Sequence, residues 1–238
     1  ETAGDAHHDT LMVFTLAGAL LALARNRMAS ATFCFGVAVL TKHSVALLGP
    51  LLLVLAWRKR QLPAFALGVA STAAVTAFFV WWYFLEPGAL EALTAQAGHQ
   101  RTSLQQFGAL LIGDQHRWSI TVVGYGLTVL CLLWCLRRVR DVGSFGRQSA
   151  TLLVAFLVVG MPLFSPWYHL WWLPMIALWA WPGWIRVFSV VAVCGPLSYL
   201  VYASTHGFGL AHELWTWTVG LMAVVTVAAL PTRSTPQG

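Results

Sequence analysis

A short polar cluster near the start of the chain could carry acid–base chemistry. Between Gly4 and Asp9 the carboxylates of Asp5 and Asp9 and the imidazoles of His7 and His8 crowd into five positions. Such groups act as general acids or bases, contact phosphates or bind metals. A polar helix cap, with Asp9 capping the helix that follows, is the alternative interpretation. Spacing alone does not choose between the two.

An aromatic-rich segment late in the chain is the second candidate. It reads Phe-Ser-Pro-Trp-Tyr-His-Leu-Trp-Trp-Leu-Pro from Phe164 to Pro174. Pro166 and Pro174 bracket a stretch poorly suited to one continuous helix, so we expect a turn that holds the rings and His169 together. Aromatic faces can hold a sugar ring or an isoprenoid chain, but an interfacial membrane anchor has the same composition.

The elements that position these clusters must lie in a bilayer. Apolar residues make up 58% of the 238-residue chain and charged residues 9%, against roughly 25% charged residues in a soluble domain. A soluble globule is therefore excluded. The formal charge of +6 does not indicate nucleic-acid binding, because the basic residues form short clusters between apolar blocks. We predict an all-α, polytopic transmembrane bundle forming a single domain over residues 1–238.

The basic clusters predict the orientation of this bundle, because Lys and Arg are retained on the cytoplasmic side. Eleven of the 14 basic residues fall on one side of the predicted topology, which has about seven crossings plus one re-entrant hairpin. Residues 86–118 then form an outer loop with one or two short interfacial helices, and the C-terminus is cytoplasmic. The eleven basic residues on this side are Arg25, Arg27, Arg58, Lys59, Arg60, Arg137, Arg138, Arg140, Arg147, Arg186 and Arg233.

The first ten residues are polar and contain neither an initiator Met nor a basic region, so they do not form a signal peptide. We therefore interpret the chain as a portion of a longer one.

The re-entrant hairpin is predicted at residues 28–57, which begin and end beside basic clusters. A turn at Thr41–Ser44 splits this block into arms of about 13 residues, roughly 20 Å long against a hydrocarbon core of roughly 30 Å. A non-helical turn carrying Lys42 and His43 at membrane depth is tolerated where it lines a protein cavity or water. We therefore predict an internal aqueous site at Lys42; two ordinary spans in locally thinned lipid are the alternative.

Three segments resemble, in the same order, motifs of the GT-C glycosyltransferases that use polyprenyl-phosphate sugars. The Gly4–Met12 segment resembles their outer Asp-containing motif, Gly36–Lys42 their Leu-Thr-Lys hairpin, and Ser165–Pro174 their Pro-Trp-Tyr turn. The likeness covers roughly residues 1–185 and extends in particular to bacterial integral-membrane mannosyltransferases. Because those enzymes carry an essential acidic residue in an earlier outer loop, the resemblance implies a C-terminal portion of a larger enzyme.

The resemblance implies transfer of a sugar, expected to be mannose, from a polyprenyl-phosphate donor to a lipid-linked or glycan acceptor, with inversion. The expected location is the bacterial inner (plasma) membrane, with the active site facing outside. The resemblance implies no particular cofactor, because some GT-C enzymes are metal-dependent and others are not; a divalent metal bound by Asp5, His7, His8 and Asp9 is the minor alternative. A non-enzymatic polyprenyl-lipid flippase or transporter subunit, with Lys42 as counter-charge, is the competing class.

Residue roles follow from the chemistry of glycosyl transfer. The acceptor hydroxyl needs a base, for which Asp9 with His8 beside it is the best visible candidate. The leaving phosphate needs cationic or hydrogen-donating partners, a role expected of Lys42, His43 and His169. The aromatic side chains of Trp167, Tyr168 and Trp171 are expected to shape the sugar or lipid slot.

Overall fold

The computed structural model describes residues 2–83, 104–161, 166–179 and 185, which form helices joined by short turns and include no strand. The all-α prediction is confirmed. Three helical segments are long and apolar enough to cross a membrane: Leu62–Phe79, Arg117–Arg138 and Val142–Gly160. The two last predicted spans, 186–203 and 214–230, lie outside the described residues, and the count of about seven crossings stays a prediction. In chain order the α-helices are α1 (Thr2–Ala24), α2 (Met28–Thr41), α3 (Gly49–Arg58), α4 (Leu62–Tyr83), α5 (Leu104–Ile112), α6 (Arg117–Arg138), α7 (Val142–Ala155) and α8 (Leu173–Trp179), with 3₁₀ helices at His43–Leu48, Asp114–His116 and Pro166–Trp172 and a π-helix at Phe156–Gly160.

Helix α1 begins earlier than the sequence indicated. It starts at Thr2 and includes the whole Gly4–Asp9 cluster, so the interpretation of Asp9 as an N-cap is wrong. Asp9 instead continues the buried stripe of the helix, which repeats at helical spacing through Met12, Leu16 and Leu20. The periodicity of α1 therefore directs this carboxylate into the protein.

The two ends of the predicted hairpin meet at one end of the bundle. Asn26, which turns the chain between α1 and α2 with a left-handed φ of 58°, accepts hydrogen bonds from Lys59 Nζ and Gln61 Nε2, each at 3.2 Å. Asn is one of the few residue types that adopt this conformation readily. The start of α2 and the end of α3 are therefore held side by side.

The hairpin breaks at Lys42, inside the predicted Thr41–Ser44 turn. Helix α2 ends at Thr41, and Lys42 is extended with φ −146° and ψ 100°. Its carbonyl accepts from Val45 N at 3.1 Å, which opens the 3₁₀ helix leading into α3. The two arms, Met28–Thr41 and His43–Arg58, are each shorter than the roughly 20 residues that a helix needs to cross a bilayer. Re-entry of these arms from the cytoplasmic side stays a prediction.

Helix α4 packs along α2 through glycines. The backbone of Gly36 lies against Thr72, and that of Gly68 lies against Thr32 and the carbonyl of Ala29, close enough that a methyl group at either glycine would clash. Matching pairs 32–68 and 36–72 show that the two helices run in the same direction. This fits a chain that rises along α2, returns along α3 and rises again along α4.

Helix α7 begins at the end of the bundle that holds Asn26 and Lys59. Its N-cap Asp141 accepts from Ser144 N at 2.8 Å, and the Ser144 hydroxyl accepts in return from Asp141 N, forming a capping box. Hydrogen bonds to the carboxylate from Ser144, foremost from its backbone N–H, and from Gly143 N–H lower the pKa of the Asp141 carboxyl, assisted by the nearby charge of Lys59. The basic clusters before α2, at the end of α3 and at the end of α6 are thus gathered together.

Helix α5 lies in the predicted outer loop, of which residues 86–103 are outside the described part. It packs inward through Gln105, whose side chain is 4% exposed. Gln105 Nε2 donates to the carbonyls of Val159 and Gly160 at 3.1 Å each, and its Oε1 accepts from Thr121 Oγ1 at 2.9 Å. Carbonyls of the π-helix are thereby satisfied by a side chain from another element.

The outer helices present apolar side chains to their surroundings. Trp81 in α4 is 76% exposed and Trp118 in α6 is 77% exposed, along with many Leu, Val and Phe side chains of the same helices. The buried core instead joins α1, α2, α3, α7 and α8. Large apolar surfaces of this extent are stable in lipid rather than in water.

Candidate functional site

An ion pair joins the Gly4–Asp9 cluster to the turn at Lys42. Asp9 Oδ1 lies 3.2 Å from Lys42 Nζ, and the two side chains differ sharply in exposure: 1% for Asp9 and 20% for Lys42. The position of Lys42 follows from the break after α2, because an extended residue between two helices projects its side chain sideways towards α1. The charge predicted at membrane depth is therefore paired rather than isolated.

The aromatic segment closes over this pair through Tyr168 and Trp171. Trp171 Nε1 donates to Asp9 Oδ1 at 3.3 Å, across 162 positions of sequence. Lys42 Nζ lies 4.9 Å from the ring centroid of Tyr168 and 5.6 Å from that of Trp171, within the range of cation–π attraction. The two rings are themselves in contact, with centroids 4.7 Å apart.

Two of the three contributing elements are interrupted where they reach the site, whereas α1 is continuous through Asp9. The extended Lys42 separates α2 from a 3₁₀ helix, and residues Pro166–Trp172 form a 3₁₀ helix that gives way to α8 at Leu173. The interruption predicted between Pro166 and Pro174 thus takes the form of a 3₁₀ helix rather than a loop. It places Tyr168 and Trp171, three positions apart, on the same side of one turn.

The other residues singled out from the sequence are described only in part. The side chain of His43 is exposed. His169 and Trp167 lie on the backbone of the 3₁₀ helix, but their side chains fall outside the described set, as do those of Asp5, His7 and His8. The roles of all six stay predictions.

The metal interpretation gains no further support from the described side chains. Among them, no group of three or more His, Cys, Asp or Glu is placed to hold a metal ion. Of the four proposed ligands only Asp9 has a described side chain, and its carboxylate faces Lys42 and Trp171.

An apolar cleft of about 670 Å³ opens beside the turn, between α2, α4 and the residues that follow Lys42. Val39 and Leu40, from the last turn of α2, line one end, together with Ala46. Its threonines offer no polar lining, because the Thr32, Thr72 and Thr76 hydroxyls donate to carbonyls of their own helices at 2.8–3.0 Å. The volume lies within the range of ligand pockets, roughly 300–1,000 Å³, but this one suits hydrocarbon.

The sequence did not lead us to two features of the site: the inward direction of the Asp9 side chain and its hydrogen bond with Trp171. The buried stripe through Asp9 and Met12 was a readable signal that Asp9 points inward. The hydrogen bond from Trp171 to Asp9 had no local signal, because helical periodicity indicates which face is buried and not its distant partner. The role of Trp171 in the sugar or lipid slot stays a prediction. The structure shows in addition that Trp171 contacts Asp9.

Helical bundle and site together define a polytopic membrane protein with a partly exposed cation at a break between short helices. Residues 1–166 match glycosyltransferase family 87, and the chain belongs to this GT-C-type family of membrane glycosyltransferases. No curated protein and no solved structure matches the chain. The family assignment makes glycosyl transfer, in general terms, the activity of this protein.

Proposed function

We propose that this protein transfers a sugar, mannose in the first instance, from a polyprenyl-phosphate donor to a lipid-linked or glycan acceptor. The observation that carries the proposal is the meeting of three separate segments at Lys42, a cation that keeps 20% exposure and follows the turn of α2 whose Val39 and Leu40 line an apolar cleft. An anionic head group attached to a long apolar chain is the kind of ligand that combines these two features.

The reaction is a direct displacement at the sugar's anomeric carbon. The acceptor oxygen forms a bond to that carbon while the bond to the phosphate oxygen breaks, so the configuration inverts. The hydroxyl proton passes to a base, and polyprenyl phosphate leaves with the bonding electrons. Negative charge builds on the phosphate, where Lys42 stabilises it, and His43 and His169 are the proposed further partners.

The cleft supports a lipid-linked donor rather than a water-soluble nucleotide sugar. It adjoins the Lys42 turn at Val39 and Leu40, and its threonine hydroxyls are engaged within their own helices. A nucleotide would leave its polar groups without partners there, at a cost of a few kcal/mol for each buried group. An isoprenoid chain has no such groups.

The arrangement of the hairpin supports an active site towards the extracytoplasmic side. The basic clusters near Asn26, Lys59 and Asp141 gather at one end, and α2 has 14 residues. At 1.5 Å per residue, Lys42 therefore lies about 20 Å from that end, well across a core of roughly 30 Å. With the basic end in the cytoplasm, the site is reached from outside.

The base for the acceptor hydroxyl is proposed from the sequence to be Asp9, with His8 beside it. Its burial sets a condition on that role, because a general base must come within about 2.6–3.2 Å of the proton-bearing oxygen. An acceptor reaches Asp9 only if Lys42 and the 3₁₀ helix of Tyr168 and Trp171 move.

Reconstitution of the full-length protein in liposomes tests the proposed activity. Donors with labelled mannose, glucose or arabinose on polyprenyl phosphate are supplied with a membrane-glycolipid acceptor fraction. We expect labelled acceptor and free polyprenyl phosphate in equal amounts from the mannose donor. Transfer from a nucleotide sugar alone, or movement of the lipid-linked sugar across the bilayer without consumption, would overturn the proposal; the second result would indicate a flippase.

A variant at His169 tests the proposed second phosphate partner. His169→Ala should lower turnover from the mannose donor by about tenfold or more, as expected for loss of a charge-stabilising group. Thermal unfolding in detergent should change little. Full activity, or a loss explained by unfolding, removes His169 from the mechanism.

A further inference from the structure

We infer that Asp9 is a positioning residue that acts through Lys42, and that Lys42 is the member of the pair that contacts the donor phosphate. This inference rests on the proposed function, and it replaces the sequence-based role of Asp9 as base. Its starting point is the difference in access: the Asp9 side chain is 1% exposed and that of Lys42 is 20% exposed.

The geometry of the carboxylate suits a counter-ion. One oxygen, Oδ1, accepts from both Lys42 Nζ at 3.2 Å and Trp171 Nε1 at 3.3 Å. Two donors from different segments fix the orientation of the group, and the indole keeps water from it, since Trp171 is fully buried. Such shielding strengthens the attraction to the ammonium.

The ammonium is correspondingly fixed on several sides. Asp9 holds it from α1, and the rings of Tyr168 and Trp171 lie 4.9 Å and 5.6 Å away. An ammonium has three N–H bonds, so pairing with Asp9 leaves capacity for phosphate oxygens on its exposed side. Asp9 and the aromatic rings thus pre-orient Lys42 before the donor arrives.

A general base would require the opposite arrangement. Proton transfer needs the carboxylate within hydrogen-bond reach of the acceptor hydroxyl. Here the carboxylate is covered by the group that binds the leaving phosphate, and its charge is already neutralised by Lys42. An acceptor that contacted Asp9 directly would displace Lys42 from the phosphate in the same step in which Lys42 stabilises the phosphate charge.

A double-mutant cycle in the full-length protein tests the inference. The enzymes compared are wild type, Asp9→Asn, Lys42→Met and the double variant, each assayed for donor KM and for kcat at saturating donor. We expect Lys42→Met to raise the donor KM by about tenfold or more. Asp9→Asn should raise it by severalfold, Asp9→Glu should restore part of the loss, and Asp9→Asn should add nothing when Lys42 is already Met.

The double variant decides the question even if Asp9→Asn alone fails to fold, because it leaves no unpaired buried charge. An acting base contributes about 10²–10⁴-fold to the rate. A kcat of the double variant within about tenfold of that of Lys42→Met supports positioning, whereas a loss of 10²-fold or more beyond that of Lys42→Met restores Asp9 as base. An unchanged donor KM in Lys42→Met would instead contradict the proposed donor site.

Discussion

Two adjacent tryptophans in the 3₁₀ helix show how the site depends on single hydrogen bonds. Trp171 and Trp172 are both buried, but only Trp171 donates to Asp9. Among the described residues the indole N–H of Trp172 has no hydrogen-bond partner. The pair therefore separates the contribution of the hydrogen bond from that of packing.

Phenylalanine at each position tests this separation. Trp171→Phe removes the donor to Asp9, so we expect donor KM to rise by about threefold to tenfold, because a hydrogen bond to a charged group contributes about 1.5–3 kcal/mol before compensation by neighbours. Trp172→Phe should leave donor KM unchanged. It should lower the unfolding temperature about as much as Trp171→Phe does, since the two variants lose the same side-chain volume. Equal effects on donor KM from the two variants would contradict the account.

The residues of the site were predictable to different degrees. Lys42 is evident from sequence, because a charge between two short apolar arms needs an internal site. The interpretation of Asp9 as a cap failed because it weighed residue type over the helical period that continues to Met12. The contact between Trp171 and Asp9 depends on tertiary packing, which no local pattern encodes.

At the scale of elements, two glycines of α6 differ in what surrounds them. A methyl group on Gly124 would clash with the carbonyl of Val159 in the π-helix and meet Gln105, whereas nothing lies within 4 Å of the same position at Gly126. Of these two glycines, only Gly124 lies where α6 approaches the π-helix closely.

Alanine at these positions should shift stability in opposite directions. Gly124→Ala forces the π-helix away, so we expect a loss of about 1–3 kcal/mol in unfolding free energy. Gly126→Ala should have no cost and should stabilise the helix by about 0.5–1 kcal/mol, the usual gain over glycine. Thermal unfolding in detergent measures both, and equal stability of the two variants would show that this contact is not tight.

Adjacent alanines of α4 provide a matched test of the cleft. Both are exposed, but Ala73 lines the cleft and Ala74 does not. Ala73→Phe narrows the cleft, so donor KM should rise by about tenfold for a long-chain donor and less for one with a single isoprene unit. Ala74→Phe should match wild type. Loss of the chain-length dependence would remove the isoprenoid chain from the cleft.

The elements themselves were more predictable than their details. Basic clusters and the short apolar arms indicated the break near Lys42, and the long apolar blocks indicated α4 and α6. The π-helix at Phe156–Gly160 was not predicted, because its stability draws on Gln105 and on close packing at Gly124, both distant in sequence.

Across the whole bundle, the predicted topology places the two ends of α6 on opposite sides of the membrane. This helix has 22 residues and is therefore about 33 Å long, enough to cross the hydrocarbon core. Its start follows the outer-loop residue Gln115, and its end leads to Arg140 in the basic region.

Cysteine labelling tests this orientation. In a protein whose four native cysteines are replaced by alanine, Gln115→Cys should react with an impermeant maleimide added outside intact cells, and Arg140→Cys only after the membrane is opened. Both positions are exposed on the protein surface, so each is accessible to the reagent. Reversed labelling, or labelling of both from one side, would overturn the topology.

The central claim is that Lys42 binds the donor phosphate, and the chain offers a matched control in its only other lysine, Lys59, at the basic end. The most direct measurement is the affinity of the full-length protein for polyprenyl-phosphate-mannose, compared between Lys42→Met and Lys59→Met. We predict affinity weaker by about tenfold or more for Lys42→Met, as expected for loss of a charge-assisted contact, and wild-type affinity for Lys59→Met. Equal affinities in the two variants would contradict the claim.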